Sequence, residues 1–536
     1  MTPDSPVSVA TLASLAPEIM LVASAIVIYL AGAFAGWRGG WLLAFVGTLA
    51  AIWLATPAGD GLAGFARWAT LLTGLVLVLV QGGDLRTPAA NRAGTCEEAG
   101  SFLVLLAGLS LVATADDLVL LFLGLEMVSI PTYVLLGLAR TTAKGQEATV
   151  KYFFLSLTAS ALFLYGLVCL YGIGGDVSLA VIGERLRETD AVTAAALLPL
   201  AVGMVIAGVT FRMAAVPMHF YAPDVYEGTS TPLAAVLSTL PKLAGVVVLL
   251  RLVGLTTGTG GAAAVSAGMI WQVAAVLAAV TMTVGNLMAL WQDNLRRLFA
   301  CSSIAHAGYL LVGLAAAAAG AGDEARLDGG SATLFYLATY LIATTGVLAA
   351  VTYLGHRWPI WSPTTPRPPR EEVSTIADLN GLASTNPVAA FAIAVFVLSL
   401  AGIPPLPGFW GKLSLVTAAL GVDQAGEFTV GGPRTWFVGM AITLAVNAAI
   451  AAAYYLSIIV AIYFRPAERG VQADGGLSAG LAMLSCVVAV VMASPQPSFL
   501  SGPAGRAVAP ALAPEAAPAA PTTAVVNPRA INSPAR

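Results

Sequence analysis

Three ionisable side chains lie deep inside apolar sequence: Glu126 in LLFLGLEMVSIPTYVLL, Lys242 in LSTLPKLAGVVVLL and Lys412 in LSLAGIPPLPGFWGKLSLV. A charge at the centre of a membrane helix is opposed by about 2.5 to 3.5 kcal/mol on insertion scales, so each such residue requires a chemical reason. Of twenty-five basic residues only four are lysines, Lys144, Lys151, Lys242 and Lys412, and three of them fall within or at the edge of apolar runs. A desolvated ammonium can release its proton, whereas a guanidinium keeps its charge. Residue type and placement therefore predict proton carriage by Lys242 and Lys412, with pairing to a neighbouring carboxylate or snorkelling as the structural alternatives. Lys151 opens the run KYFFLSLTASALFLYG, where snorkelling and proton carriage fit equally. Glu126 is either ionised against a cation from an adjacent helix or neutral and donating one helix-to-helix hydrogen bond.

The elements that hold these groups follow from composition. The chain is 58% hydrophobic and 10% charged, against roughly 25% charged for a soluble domain. Apolar runs long enough to cross about 30 Å of hydrocarbon recur along it. They fall near 17–36, 41–56, 66–81, 100–115, 117–138, 151–172, 196–226, 231–255, 266–291, 299–319, 331–354, 387–420, 436–464 and 476–494. The expectation is an all-α integral membrane protein of about fourteen transmembrane helices. The first run has no preceding Lys or Arg and no small-residue cleavage site, so it reads as a retained helix. Basic residues such as Arg38, Arg140, Lys144, Arg296, Arg297 and Arg465 concentrate in odd-numbered loops, while even loops hold few, among them Arg67, Arg185 and Arg434. Odd loops are then cytoplasmic and both termini lie on the outer, periplasmic face. From about residue 502 the chain turns Ala/Pro-rich and is expected to be disordered.

The four cysteines, Cys96, Cys169, Cys301 and Cys486, are scattered without metal-ligand spacing and read as small core residues. No GxGxxG or Walker loop occurs, and His219, His306 and His356 cannot supply the paired axial ligands of a membrane dihaem cytochrome. No cofactor is expected in this chain, and its energy must come from an ion gradient or a partner.

Two runs look like broken helices. Pro217 and Pro223 interrupt FRMAAVPMHFYAPDVYEGTSTP in the seventh, and three prolines with two glycines interrupt the twelfth just before Lys412. Carbonyls freed in this way are tolerated in a membrane only where protein or water satisfies them. Breaks at corresponding places in two halves mark transporter repeats. Helices four to eight and nine to thirteen would form two pseudo-symmetric inverted five-helix repeats, each with one break and a nearby buried lysine.

Three segments in order carry a family resemblance: GVTFRMAAVPMHFYAPDVYEGTSTPLAAVLSTLPKLAG, NLRRLFACSSIAHAGYLLVG and LSLAGIPPLPGFWGKLSLV. Together they resemble the antiporter-like subunit N of bacterial NADH-quinone oxidoreductase, complex I, in register from about Ala99 to Phe464. PDVYEG in particular is similar to subunit N rather than to its sister subunits L and M. The resemblance implies a membrane-arm subunit that moves protons when quinone is reduced elsewhere in the complex. NADH, FMN, iron-sulfur clusters and quinone would belong to partner subunits. Glu126, Lys242 and Lys412 match the family's helix-five glutamate, helix-eight lysine and helix-twelve lysine. Lys151 matches the lysine of a KYF stretch. His306 and Tyr309, with Ser302 and Ser303, match a segment that could relay protons or hydrate the bundle centre. Asp224 and Glu227 match PDVYEG and are expected to cap the loop; His219 precedes them as a further candidate.

One departure matters, because the family usually carries lysine where this chain has Arg212. A guanidinium cannot donate a proton near neutral pH. Arg212 is then expected to be a permanent counter-charge for Glu126, leaving proton loading to Lys242. The domain reading is helices one to three over 1–98, the proton-translocating core over 99–464, a last helix within 465–501 and the tail 502–536. Expected partners are antiporter-like subunits M and L, small subunits K and J, and the lipid bilayer of a bacterial cell membrane, with no nucleic acid. A cation/proton antiporter, a membrane-bound hydrogenase subunit, or a structural subunit with a non-conducting channel remain alternatives.

Overall fold

The computed structural model describes residues 13–37, 39–55, 61–82, 95–140, 142–188, 197–255, 261–320, 323–357, 371–424, 429, 431–467 and 471–512. Helices dominate: α1 (Ala16–Ala35), α2 (Gly40–Leu54), α3 (Leu62–Gly82), α4 (Thr95–Thr114), α5 (Leu118–Ala139) and α6 (Ala143–Gly174) lead into the short α7 (Leu179–Glu188). There follow α8 (Leu197–Met213), α9 (Ala222–Gly228), α10 (Thr231–Leu255), α11 (Gly261–Ala289), α12 (Leu295–Ala319) and α13 (Asp323–Leu354). The chain closes with α14 (Leu382–Thr385), α15 (Pro387–Ala401), α16 (Pro407–Gly421), α17 (Pro433–Phe464), α18 (Gly476–Ala493) and α19 (Ser498–Leu512). Among the described residues, eleven helices (α1, α3 to α6, α10 to α13, α17 and α18) are long and apolar enough to cross a membrane, and α2, α8 and α15 are shorter apolar helices.

Burial sorts these helices where hydropathy does not. The α10 and α12 spans are buried throughout, whereas α1, as apolar as α10, is buried over only about a fifth of its span. The axis of the fold is therefore α10 and α12, the helices that carry Lys242 and His306. Helix ends are set by local chemistry. Asp117 accepts from the backbone N–H groups of Val119 and Leu120 to cap α5, and Asn294 accepts from those of Arg296 and Arg297 to cap α12.

Both expected breaks are present. Helix α8 ends at Met213, and Ala214 takes a left-handed φ of 55° before α9 begins. Helix α15 ends at Gly402, with φ 85°, and α16 starts at Pro407. Gly408 must be glycine for space: a Cβ there would stand 1.9 Å from the Ser399 carbonyl oxygen.

The loops after α13 and α17 add a small antiparallel sheet, order β2-β1-β3, from β1 (Gly355–Arg357), β2 (Glu371–Glu372) and β3 (Val471–Ala473), with His356 opposite both Glu372 and Gln472. The helix-only reading had no place for it.

Two expectations are corrected. Arg67, read as a loop cation, lies inside α3 and is buried, because Glu18 of α1 neutralises it at 2.8 Å while Ser110 of α4 donates to the same carboxylate oxygen. The Ala/Pro-rich tail does not lose order at 502. It continues as α19 to Leu512, because Ala504, Ala507 and Val508 share one helical face and are buried. The tail from 513, with the extreme N-terminus and basic residues such as Arg38, lies outside the described residues.

Candidate functional site

The first cluster is built by α5, α6 and α8. Arg212 stands in the last turn of α8, where the partial negative charge of a helix C-terminus favours a cation. Its Nη2 lies 3.4 Å from Glu126 Oε1, and its Nη1 donates to the Leu125 carbonyl at 3.2 Å and to the Ser129 hydroxyl. The Ser160 hydroxyl donates to the same Glu126 oxygen at 2.5 Å. Glu126 thus has a cation and a hydroxyl as partners, and the reading of a lone inter-helix hydrogen bond does not describe it.

The second cluster centres on Lys242 in α10, 1% exposed. Its amine donates to the carbonyl and hydroxyl of Ser303 and, at 3.2 Å, to the Tyr340 hydroxyl. Tyr340 OH donates in turn to the Ser238 carbonyl at 2.8 Å. Pro241 of the same helix lacks an N–H and leaves the Leu237 carbonyl, four residues back, without its ladder donor. Among the described residues no carboxylate comes within 4.0 Å of Lys242 or Lys412. Among the described residues the partners of Lys242 are hydroxyls and a carbonyl in place of a carboxylate, and these can serve an amine in either protonation state.

Beyond it, His306 of α12 is buried with both ring nitrogens engaged, Nδ1 with Tyr336 OH at 2.6 Å and Nε2 with Tyr455 OH at 3.0 Å. Tyr455 also bonds Ser302. The His306 and Tyr340 rings lie 4.9 Å apart, which joins this group to Lys242. On the far side, Lys412 Nζ donates to the Leu400 and Ala401 carbonyls, both at 2.9 Å. These are last-turn carbonyls of α15 released by the break, so the interruption supplies the amine's acceptors. Tyr309 presents its ring 5.0 Å from the same amine and accepts at its hydroxyl from Asn286, itself bonded to Asn447. A cavity of about 10 Å³, lined by His306, Tyr336, Tyr340, Ser399 and Leu400, separates the histidine from the Lys412 carbonyl acceptors. That is about the room one water needs.

Not every candidate joins this line. The Lys151 side chain is 40% exposed and pairs with Glu147 at 2.6 Å and Asp224 at 2.9 Å. Arg297 bridges Asp224 and Glu227, and Lys144 completes the group. His219 stays in the α8–α9 break, its Nδ1 buried without a partner. No hydrogen bond among the described residues connects Arg212 to Lys242; Phe211, Tyr221 and Tyr152 pack against one another at the end of α8.

Sequence reasoning singled out none of Tyr336, Tyr340 and Tyr455, although Tyr336 and Tyr340 are spaced i, i+4 on one face of α13. It also missed Glu372, which accepts from Arg140, from Arg296 at 2.7 Å and from Thr231 at 3.1 Å, pinning β2 to α5, α10 and α12. Among the described residues no group of three His, Cys, Asp or Glu side chains could hold a metal, and all four cysteines are free and buried.

A family model described as NADH:quinone oxidoreductase/Mrp antiporter, TM, matches residues 115–431. NADH-quinone oxidoreductase subunit N 1 of Sorangium cellulosum is 35% identical over 435 residues, covering 80% of this chain and 78% of that one. Among solved structures, a chain of respiratory complex I from Thermus thermophilus superposes with a TM-score of 0.70 at 27% identity, over 91% of this chain and 98% of that one. A chain of the Mrp complex from Dietzia shares the fold at 21% identity, with a TM-score of 0.71, over 94% of this chain and 98% of that one.

Proposed function

Because the chain belongs to the subunit N family of the NADH-quinone oxidoreductase/Mrp antiporter membrane proteins, we propose that it translocates protons within the membrane arm of a proton-pumping NADH-quinone oxidoreductase. The observation that carries this reading is the buried line Lys242, Ser303 and Tyr340, His306 with Tyr336, then Lys412, in which titratable groups alternate with hydroxyls inside a bundle. Each hydroxyl both donates and accepts, so a proton can pass along by successive reorientation. A water in the small cavity beside Leu400 would complete the step to Lys412.

In this scheme Arg212 is the fixed counter-charge of Glu126. A shift of that pair changes the field at Lys242 and thereby its proton affinity. Lys412 passes the proton outward. Lys151 lies at the loop end of this system with Asp224, and its salt bridges favour a positioning role there. Tyr309 flanks the route beside Lys412, and His219 stays a candidate at the α8–α9 break. In this reading the eleven long helices, with α2, the broken α8/α9 and the broken α15/α16, are fourteen spans, of which the fourth to the thirteenth form two inverted five-helix repeats. It is multi-pass in a bacterial cell membrane, with both termini on the periplasmic side. Electrons move in partner subunits that hold the NADH, FMN, iron-sulfur and quinone sites; subunits M, L, K and J are the expected neighbours.

The test is proton uptake by proteoliposomes containing the assembled complex. Addition of NADH and quinone should generate a pH gradient that a Lys412→Met variant diminishes at unchanged electron transfer. A pH gradient driven by sodium without NADH would instead favour the antiporter alternative, to which the fold of the Dietzia chain also corresponds.

A further inference from the structure

Away from the proton route, a groove of about 490 Å³ runs between α3, α13 and α19. On α3 its wall extends from Gly61 to Thr73, roughly 18 Å at about 1.5 Å per residue. That slightly exceeds one leaflet of a hydrocarbon core about 30 Å thick. The opposite wall, Ala338, Leu341 and Ile342, falls at the middle of the α13 span Asp328–Leu354, so the groove reaches bilayer mid-depth. Its third wall is α19, which is not among the candidate spans and contributes Phe499, Leu500 and Arg506.

Apart from Arg506 the ionisable residues of these helices do not enter the lining. Arg67 of the same α3 faces inward and is already paired with Glu18. Arg506 is exposed, and among the described residues it makes neither an ion pair nor a side-chain hydrogen bond. An apolar channel one leaflet long with an exposed guanidinium in its lining, unpaired among the described residues, is complementary to one ligand chemistry, a long hydrocarbon tail joined to a phosphate.

We propose that this groove holds an acyl chain of an anionic glycerophospholipid whose phosphate is bound by Arg506. The lipid fills the space that α19 leaves between itself and α3, and so fixes the C-terminal helix to the N-terminal three helices. The proposal is independent of proton translocation and needs only that the chain is embedded in a bilayer.

The test is lipid retention by the purified full complex during graded delipidation, read by native mass spectrometry after reconstitution with phosphatidylglycerol or phosphatidylcholine. The wild type should retain phosphatidylglycerol with about a fivefold preference, the size expected for one basic residue against an anionic lipid. Arg506→Gln should remove the preference while leaving assembly intact, because the residue is exposed and outside the spans. Ala338→Trp, which fills the groove, should reduce retention of both lipids. An unchanged preference in Arg506→Gln, unchanged retention in Ala338→Trp, or crosslinking of the groove to a helix of a neighbouring subunit in place of lipid would overturn the proposal.

Discussion

Arg212 Nη2 stands 3.4 Å from Glu126 Oε1 while its Nη1 binds the Leu125 carbonyl and the Ser129 hydroxyl, so one guanidinium fixes both the carboxylate and the backbone of the helix that bears it. An ammonium could hold the carboxylate but not span all three acceptors in one plane. Arg212→Met should destabilise the assembled protein by about 3 kcal/mol, the cost of leaving a buried charge without its partner, and should depress proton translocation. Arg212→Lys should keep most of the translocation with a smaller loss of thermal stability. Equal effects of the two substitutions would contradict the counter-charge role.

His306 lies between the Lys242 and Lys412 ends: its ring is 4.9 Å from that of Tyr340, and its two nitrogens bond Tyr336 and Tyr455. His306→Phe fills similar volume without those nitrogens. It should lower the proton-to-electron ratio while the complex still assembles and oxidises NADH. Tyr336→Phe removes one of the two partners and should give a milder defect in the same direction. A normal ratio in both variants would place the route elsewhere.

Gly408 has no room for a side chain, since a Cβ would lie 1.9 Å from the Ser399 carbonyl oxygen. Gly408→Ala must move α16 away from α15 and with it Lys412 from the Leu400 and Ala401 carbonyls. Overpacking of this kind costs about 1–3 kcal/mol. A lower melting temperature of the purified protein, accompanied by reduced pumping, is expected; wild-type stability would contradict the close packing at this break.

Glu372 gives a pH dependence. Burial acts to raise its pKa, but the Arg296 and Arg140 guanidinium groups outweigh burial and hold the carboxyl below the usual range. A depressed carboxyl pKa adds stability that is fully present above the unfolded value of about 4.3 and is lost as pH falls through the lower, folded value. Glu372→Gln should therefore lower the melting temperature at neutral pH, and the gap to wild type should narrow as pH falls below about 4.3. A gap of constant size from pH 7 down to the acid limit would contradict the ion-pair assignment.

How much of this was legible in the sequence depended on the kind of residue. Glu126, Lys242 and Lys412 announced themselves because charge inside an apolar run is costly, and the breaks did so through proline. Their acceptors were hidden. Tyr340 and Tyr336 differ from packing aromatics only by a hydroxyl whose partner comes from another helix. Ser303 was legible only as a member of the SSIAHAGY segment; that its hydroxyl and its carbonyl, a group every residue possesses, both face Lys242 was not. Nor could apolarity distinguish α10 from α1, since lipid and protein interior select the same side chains, yet one span is wholly buried and the other mostly exposed. Arg67 was misread because its neutralising partner, Glu18, is forty-nine positions away in the chain. Glu372 follows a Pro/Arg-rich stretch of sequence, and its own role emerges only when β2 pairs with β1.

The central claim is that Lys242 acts by gaining and losing a proton, not by being charged. Lys242→Arg in the reconstituted complex retains a cation on the same helix and removes the titration. The measurement is the number of protons moved per NADH oxidised. The account predicts a reduced ratio with electron transfer still running; a wild-type ratio would contradict it.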